Sequence, residues 1–527
     1  MKKILLFVLL FYFHETAVSQ NITNTLGTTG TFSIKDASNQ FFKVDQSDGT
    51  VEIFKNMRIP VTSTGIGMIY KGSSTFMHDF MSPGSTGRNT FIGMNAGSIY
   101  LTGQGLSGSY NTSVGYSTLQ FLSTGYMNSA FGTASLKNNI SGVGNCAFGY
   151  NTLNSNNGST NNAFGNMALE LNTTGISNNA FGSGALGDNV SGYDNCAFGN
   201  NSLSKNTISY RNSGFGNSAL SDNTGNNNSA FGYFSLRNNT SGEYNSAFGE
   251  QSMLNNTTGS SNSAFGRFSL GRNTTGYSNT SIGLSSMEYN SGGSGNTSIG
   301  AFSMAGNTTG SLNTVIGYQA GSNLITGNNV TLVGYNSEPS STNAVNQITL
   351  GDNSITSLRC NVTSITSLSD ARDKKNIKEL SLGLDFIAKL KPRQFNWDKR
   401  EWYESNVSDG SKMLDAPTAG FIAQELDSLQ NTENAEWLNL VLKDNPDKWE
   451  ATTGNLLPIM VKAIQELKAE NDMLKYKNNE LSKNIESLKS EKDELTGRVK
   501  VIEDIIREKL NNENNFVKLT NETDNLK

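Results

Sequence analysis

The residues best equipped for chemistry stand together in one short stretch, SLSDARDKKNI, at positions 367–377. Between Gly84 and Leu368 charges are scarce, and the chain is mostly Asn, Ser, Thr and Gly with evenly spaced apolar positions. Then Asp370, Arg372, Asp373, Lys374, Lys375 and Lys378 arrive within nine residues, beside the hydroxyl of Ser369. Read alone, Ser369 followed by Asp370 is an ordinary helix start, with the acid in the first turn. Little else in the chain competes. The two histidines, His14 and His78, exclude a Ser-His-Asp triad and a His-ligated metal site, so neither a metal nor a cofactor is expected. Cys146, Cys196 and Cys360 are odd in number and far apart, which does not describe a disulfide framework.

Composition bounds the partners. A formal charge of −5 and the lack of a basic stripe argue against nucleic acid. The N-terminus, MKKILLFVLLFYFHETAVSQ, has two lysines, a run of about ten apolar residues and a small-x-small end at Ala17 and Ser19. It reads as a signal peptide over residues 1–19, cut before Gln20. Spanning a bilayer takes roughly 20 apolar residues, and no later stretch qualifies, so no transmembrane segment is expected. The mature chain is expected to be secreted or held at the cell surface.

A period dominates the middle. NSAFGEQSMLNNTTGSS, NSAFGRFSLGRNTTGYS and NTSIGLSSMEYNSGGSG follow one another from Asn245, each 17 residues long. The glycine closing the apolar pair recurs at steps of 17 or 16 from Gly115 through Gly132, Gly149 and Gly165 to Gly334 and Gly351. Such a period means a repeat architecture. Seventeen residues have room for two short strands and two turns, and the glycines supply turns. Stacked coils place like on like: a phenylalanine column from Phe131, Phe148 and Phe164, a leucine column from Leu136, Leu153 and Leu169, and an asparagine ladder from Asn128, Asn145, Asn161 and Asn178. The expectation is a mainly β fold, a β-solenoid or β-roll of about 70 Å at one strand spacing per coil. Cys146 and Cys196 share a slot three coils apart, about 14 Å, beyond disulfide reach. They are expected as small core residues on the phenylalanine face.

The solenoid shows neither the calcium-binding nonapeptide pattern nor a recurring carboxylate pair. A spacer or stalk is the plain reading, since fold does not specify function. Its N-x-A-F-G core resembles the head repeats of trimeric autotransporter adhesins over about residues 89–351. That resemblance implies a three-chain rod and an adhesin that meets a surface glycan or protein receptor. Ahead of it, FFKVD, a Ser-Asp-Gly turn and TVEIF read as a hairpin able to cap the solenoid's open end.

The C-terminal end is heptad-patterned. Leu467, Leu474, Leu481, Leu488, Leu495 and Ile502 recur every seven residues, with Ile464, Asn471, Asn478, Ile485, Lys492, Val499 and Ile506 on the facing position. A coiled coil is expected, with the buried asparagines fixing register.

Between solenoid and heptads, S-D-x-R-x-K-x-x-I, L-K-P-x-x-F, G-F-I-A-Q-E and A-I-x-E-L follow in order. They are Ser369, Asp370, Arg372, Lys374 and Ile377; Leu390 to Phe395; Gly420 to Glu425, including Gln424; and Ala463 to Leu467. This layout resembles the peptidase S74 or endosialidase-type intramolecular chaperone found at the C-termini of phage tail spikes and fibres. The resemblance implies a homotrimer whose chaperone assembles the upstream β-structure and then cuts itself off by single-turnover autoproteolysis. Carried onto this chain, Ser369 attacks the carbonyl of Leu368 with Lys374 as general base. Only neutral lysine can take that proton, so burial or the positive neighbours Arg372, Lys375 and Lys378 must lower its pKa. Asp370 orients backbone or Arg372.

The expected organisation is therefore a signal peptide (1–19), an N-terminal β cap region (20–84), a β-solenoid rod (85–368), a small α+β chaperone domain (369–462), a coiled coil (463–510) and a polar tail (511–527). The expected function is a secreted, tail-fibre-like surface protein, trimerised and then trimmed by its own C-terminal domain. The alternative is an uncut adhesin or structural stalk with the coiled coil as a permanent base.

Overall fold

The computed structural model describes residues 31–35, 40–45, 47–48, 50–53, 67–359, 361 and 369–523. The signal peptide, Cys360, Leu368 and the last four residues of the polar tail lie outside them. Contacts divide the chain into two compact units, Met1–Ser322 and Asn323–Lys527.

In the first unit a parallel ladder advances one coil at a time. Its strands are three residues long, among them Ser129–Phe131, Cys146–Phe148, Asn162–Phe164 and Thr314–Ile316. Register is residue on residue: Ser129 lies on Cys146, Ala130 on Ala147 and Phe131 on Phe148. The repeat region is a β-solenoid of 17-residue coils.

Each coil carries one strand rather than the two expected. The leucine segment is instead a turn with its leucine in the left-handed region, φ +49° at Leu136 and +51° at Leu153 and Leu169. That conformation costs an L-residue roughly 1–2 kcal/mol. Two gains offset it. The leucine N–H donates to the next coil, Leu136 to Thr152 O and Leu153 to Ala168 O at 3.0 Å each, and the side chain is fully buried.

The core differs from the expected one on a second point. In strand after strand the central alanine is buried while the residues flanking it are only half-buried. Ala130, Ala147, Ala163 and Ala180 pack inside with Leu136, Leu153, Leu169 and Leu186, all at 0 % exposure. The phenylalanines do form a column, but on the outer face, and Cys146 and Cys196 lie beside them as free thiols. Strand alternation is the reason: the two residues flanking an inward alanine must point outward. A coil this small has interior room for leucine and alanine, not for a stacked ring.

Asparagines tie the coils together. Asn145 donates its backbone N–H to Asn128 Oδ1 at 3.0 Å, and its Nδ2 to the same oxygen at 3.1 Å and to Gly158 O at 2.9 Å. The backbone bond repeats from Asn111 to Asn296, while at Asn161, Asn212 and Asn228 the Nδ2 donates instead to Oδ1 of Asn156, Asn206 and Asn223. A second ladder, unforeseen, runs through the asparagine of the N-T-G turn. Asn189 Nδ2 donates to Asn172 Oδ1 at 2.7 Å and to Gly192 O at 3.1 Å. Buried amides are tolerated here because nearly every donor and acceptor has a partner.

The marker glycine is a steric requirement. Gly199 has φ +134°, and a Cβ there would lie 2.4 Å from Gly216 O of the next coil. Gly199→Ala is expected to destabilise the unit by on the order of 3 kcal/mol, from backbone strain and the displaced coil together. Gly105→Ala, with φ +63° and open space around it, should cost only about 1 kcal/mol. Thermal unfolding of the two variants checks the difference.

At its N-terminal end the solenoid is covered by Ile69–Lys71 and Ser74–His78, an antiparallel pair whose second strand lies against Thr90–Ile92. His78 is buried there, its Nε2 2.8 Å from Ala96 O and its Nδ1 accepting from Phe80 N at 3.3 Å. The expected hairpin exists, with Phe42 opposite Ile53, but Thr31–Lys35 joins it in a separate three-stranded sheet. The strand laid on the first coil is Ser74–His78, not the hairpin.

The second unit opens with parallel strands Asn328–Val333 and Val345–Leu350. A small α+β domain follows, around Phe386, Leu426, Leu438, Leu440, Val441, Leu456 and Ile459. Its helices are α1 (Leu384–Lys389), α2 (Ala423–Thr432) and α3 (Leu457–Thr523). Helix α3 starts before the heptads because Ile459 and Ala463 are buried against this domain. Beyond them its seam is bare: Leu467, Leu474, Leu481, Leu488, Leu495 and Ile502 are 53–63 % exposed. No helix among the described residues is long and apolar enough to cross a membrane.

Candidate active site

A single turn of 3-10 helix, Ala371–Asp373, shapes the charged stretch. Asp370, not Ser369, is its N-cap: Asp370 Oδ1 accepts from Arg372 N at 2.8 Å. The Arg372 guanidinium folds back on the same carboxylate, Nη2 to Oδ2 at 2.6 Å. These bonds hold the Asp370 carboxyl below its usual pKa and raise that of Arg372. Arg372, named from sequence as a positive neighbour of Lys374, is thus already matched by an acid.

The turn closes with Lys374 N donating to Ala371 O at 3.2 Å, which brings the lysine side chain back over Ser369, the residue just ahead of the N-cap. Lys374 Nζ donates to Ser369 Oγ and lies 3.4 Å from Ser369 O. A serine hydroxyl and a lysine amine five residues apart in sequence therefore touch. Both are exposed, as is everything from Ser369 to Glu379. A lysine in contact with a serine hydroxyl can receive its proton when neutral, which is the geometry of an activated nucleophile.

Gly420, Gln424 and Glu425 stand elsewhere, and none of them hydrogen-bonds to Ser369 or Lys374 among the described contacts. Gly420 ends the strand Pro417–Gly420, paired antiparallel with Arg393–Asn396; a Cβ there would lie 3.2 Å from the Phe395 ring. Glu425, in the first turn of α2, takes Arg393 in a two-pronged pair at 2.9 and 2.5 Å. It clips that helix to the two-stranded sheet. Gln424 is exposed beside Leu390, Lys391 and Phe421 on a groove of about 360 Å³.

Sequence reasoning missed two positioning contacts. Glu466 of α3 accepts from Leu384 N at 2.7 Å and so caps α1, whose own N-cap residue, Gly383, offers no side chain. Any Cβ on Gly383 would fall 2.2 Å from that carboxylate. Asp427, nearly buried, pairs with Lys443 at 2.5 Å and with Gln430 at 2.9 Å. Only the E of the A-I-x-E-L motif hinted at either. Of the segment 398–418, Arg400–Trp402 form a 3-10 turn and the last two residues begin the strand Pro417–Gly420; the rest loops around Tyr403, whose hydroxyl bonds Asp398 and accepts from Lys412 N at 2.7 Å. Among the described residues no group of three or more His, Cys, Asp or Glu stands close enough to hold a metal ion.

Residues 369–433 match the Peptidase_S74 family model, described as the chaperone of endosialidase. No curated protein and no solved structure matches the chain. An S74 chaperone domain following a β-solenoid fits a tail-fibre-like protein.

Proposed function

We propose that this chain is a secreted, tail-fibre-like surface protein whose S74-type domain gathers three copies, sets the solenoids in register and then severs itself before Ser369. The observation that carries this reading is the Lys374–Ser369 contact at the first residue matched to the chaperone family.

Ser369 Oγ attacks the carbonyl carbon of Leu368 while neutral Lys374 accepts the hydroxyl proton. The C–N bond breaks, Lys374 returns the proton to the departing Ser369 nitrogen, and Leu368 is left as an ester on Ser369 Oγ. Water hydrolyses that ester, releasing a Leu368 carboxylate and a chain that begins at Ser369 with a free amine. No histidine or metal is required.

Assembly supplies what the single chain lacks. Ser369 and Lys374 are open to water in the single chain, and neighbouring copies would close over them on assembly. Cutting then follows assembly in time. Parallel β pairing is slow and leaves strand edges open, and tethering chain ends raises their effective concentration. The bare heptad seam of α3 supports a role in that tether. Export rests on the sequence of residues 1–19, and a surface glycan or protein remains the proposed receptor class. Where the lysine is never covered, the same chain remains an uncut adhesin or stalk.

Light scattering on the purified mature protein tests the assembly. About three chains per particle are expected; a monomer with intact solenoid circular dichroism would overturn the three-chain reading.

A further inference from the structure

The outer face of the strand ladder has a composition unlike the rest of the solenoid. One column runs Ile92, Val114, nine phenylalanines from Phe131 to Phe265, then Ile282, Ile299 and Ile316. The column two residues earlier holds only Thr, Ser, Cys and Asn, from Thr90 to Thr314. Thirteen charged residues lie between Thr90 and Ile316, and none of them falls in either column. They occupy the turns, where Arg267 meets Glu250 and Lys205 meets Asp222.

The phenylalanines stack along the ladder with centroids 4.5–4.9 Å apart and planes within 3–8°. Phe131 to Phe248 nonetheless remain partly exposed, and the column opens further toward its C-terminal end, where Phe265 and Ile282 are 41 % exposed, Ile316 39 % and Ile299 37 %. An aromatic side chain can bury about 150–250 Å², so some tens of Å² remain open per coil. Over fourteen coils that makes a continuous apolar strip of roughly several hundred Å², the size range in which exposed apolar patches mark interaction sites.

We propose that this uncharged face is where copies of the chain meet, coil against coil, so that Cys146 and Cys196 of one copy confront those of the next. The proposal rests on the three-chain reading above and names its surface. Spacing selects the occupant. A row of rings repeating every 4.5–4.9 Å is matched along its full length only by another row with the same repeat, and a second copy carries one. The absence of charge points the same way, because symmetric copies would set like charges against each other.

The test uses full-length protein carrying Cys360→Ser, leaving only the two solenoid thiols, treated with a short bifunctional maleimide. Native mass is read in parallel by light scattering. Expected is a multimer whose solenoid chain doubles in mass on a denaturing gel, with the doubled band lost in Cys146→Ser/Cys196→Ser. In a second variant, Phe181→Glu/Phe198→Glu should reduce the native mass toward one chain while solenoid circular dichroism persists. A multimer that neither cross-links nor responds to the two glutamates overturns this surface and leaves the three-chain reading standing. A single-chain mass in the unsubstituted protein overturns both.

Discussion

Ser369→Ala is expected to yield one undivided chain that still assembles. The hydroxyl is the proposed nucleophile, and the residue is exposed, so alanine removes the reaction without opening a cavity. Lys374→Ala should slow cutting by about 10²–10⁴-fold, the usual contribution of a positioned general base. Lys375→Ala should remain close to the parent rate: the turn that returns Lys374 over Ser369 ends at Lys374, and no bond joins Lys375 to the serine. Asp370→Ala probes the turn itself. It removes the cap that the Arg372 amide and guanidinium share, and should slow cutting less than Lys374→Ala. Gel analysis of the purified variants over time reads all four. Should Ser369→Ala still produce a fragment starting at residue 369, an outside protease acting on an exposed joint made the cut.

The second large effect is expected from removing the C-terminal domain before synthesis. A chain ending at Leu368 should give aggregated or misregistered solenoid rather than the native particle. Its coils hold together through ladders that look alike from rung to rung: Asn128, Asn145 and Asn178 make the same bonds one coil apart. In the proposed three-chain rod a slip of one coil would cost a copy little, so the proposed chaperone would set the register from outside. Scattering and circular dichroism on the truncated chain check this. A truncated chain with the native mass and spectrum removes the need for a chaperone.

Much of the solenoid could be read from the period alone, because each slot in a strict repeat stacks on itself. Asn128, Asn145, Asn161 and Asn178 were assignable as a ladder for that reason, and the structure has them hydrogen-bonded so. The period does not say which way a slot points. Phenylalanine is larger and more apolar than alanine, so size alone put Phe148 inside and left Ala147 unremarked; strand alternation within a narrow coil decides the reverse. Nor does hydropathy reveal backbone conformation. Leu153 reads as strand, yet its φ of +51° makes a turn that only the next coil's Ala168 carbonyl stabilises.

At the candidate site the local part was legible and the distant part was not. Ser369 and Lys374 are five residues apart, within reach of one turn, and the structure joins them. Glu425 with Arg393, and Glu466 with Leu384, are 32 and 82 residues apart, and no periodicity links such pairs. The heptads from Ile464 onward were visible, but the start of α3 at Leu457 was set by burial of Ile459 and Ala463 in the neighbouring domain.

The intact mass of the purified wild-type product decides whether the chain severs itself. Two polypeptides that meet between Leu368 and Ser369 are expected, the C-terminal one beginning Ser-Asp-Ala-Arg. A single uncut chain in fully assembled particles would contradict self-cleavage.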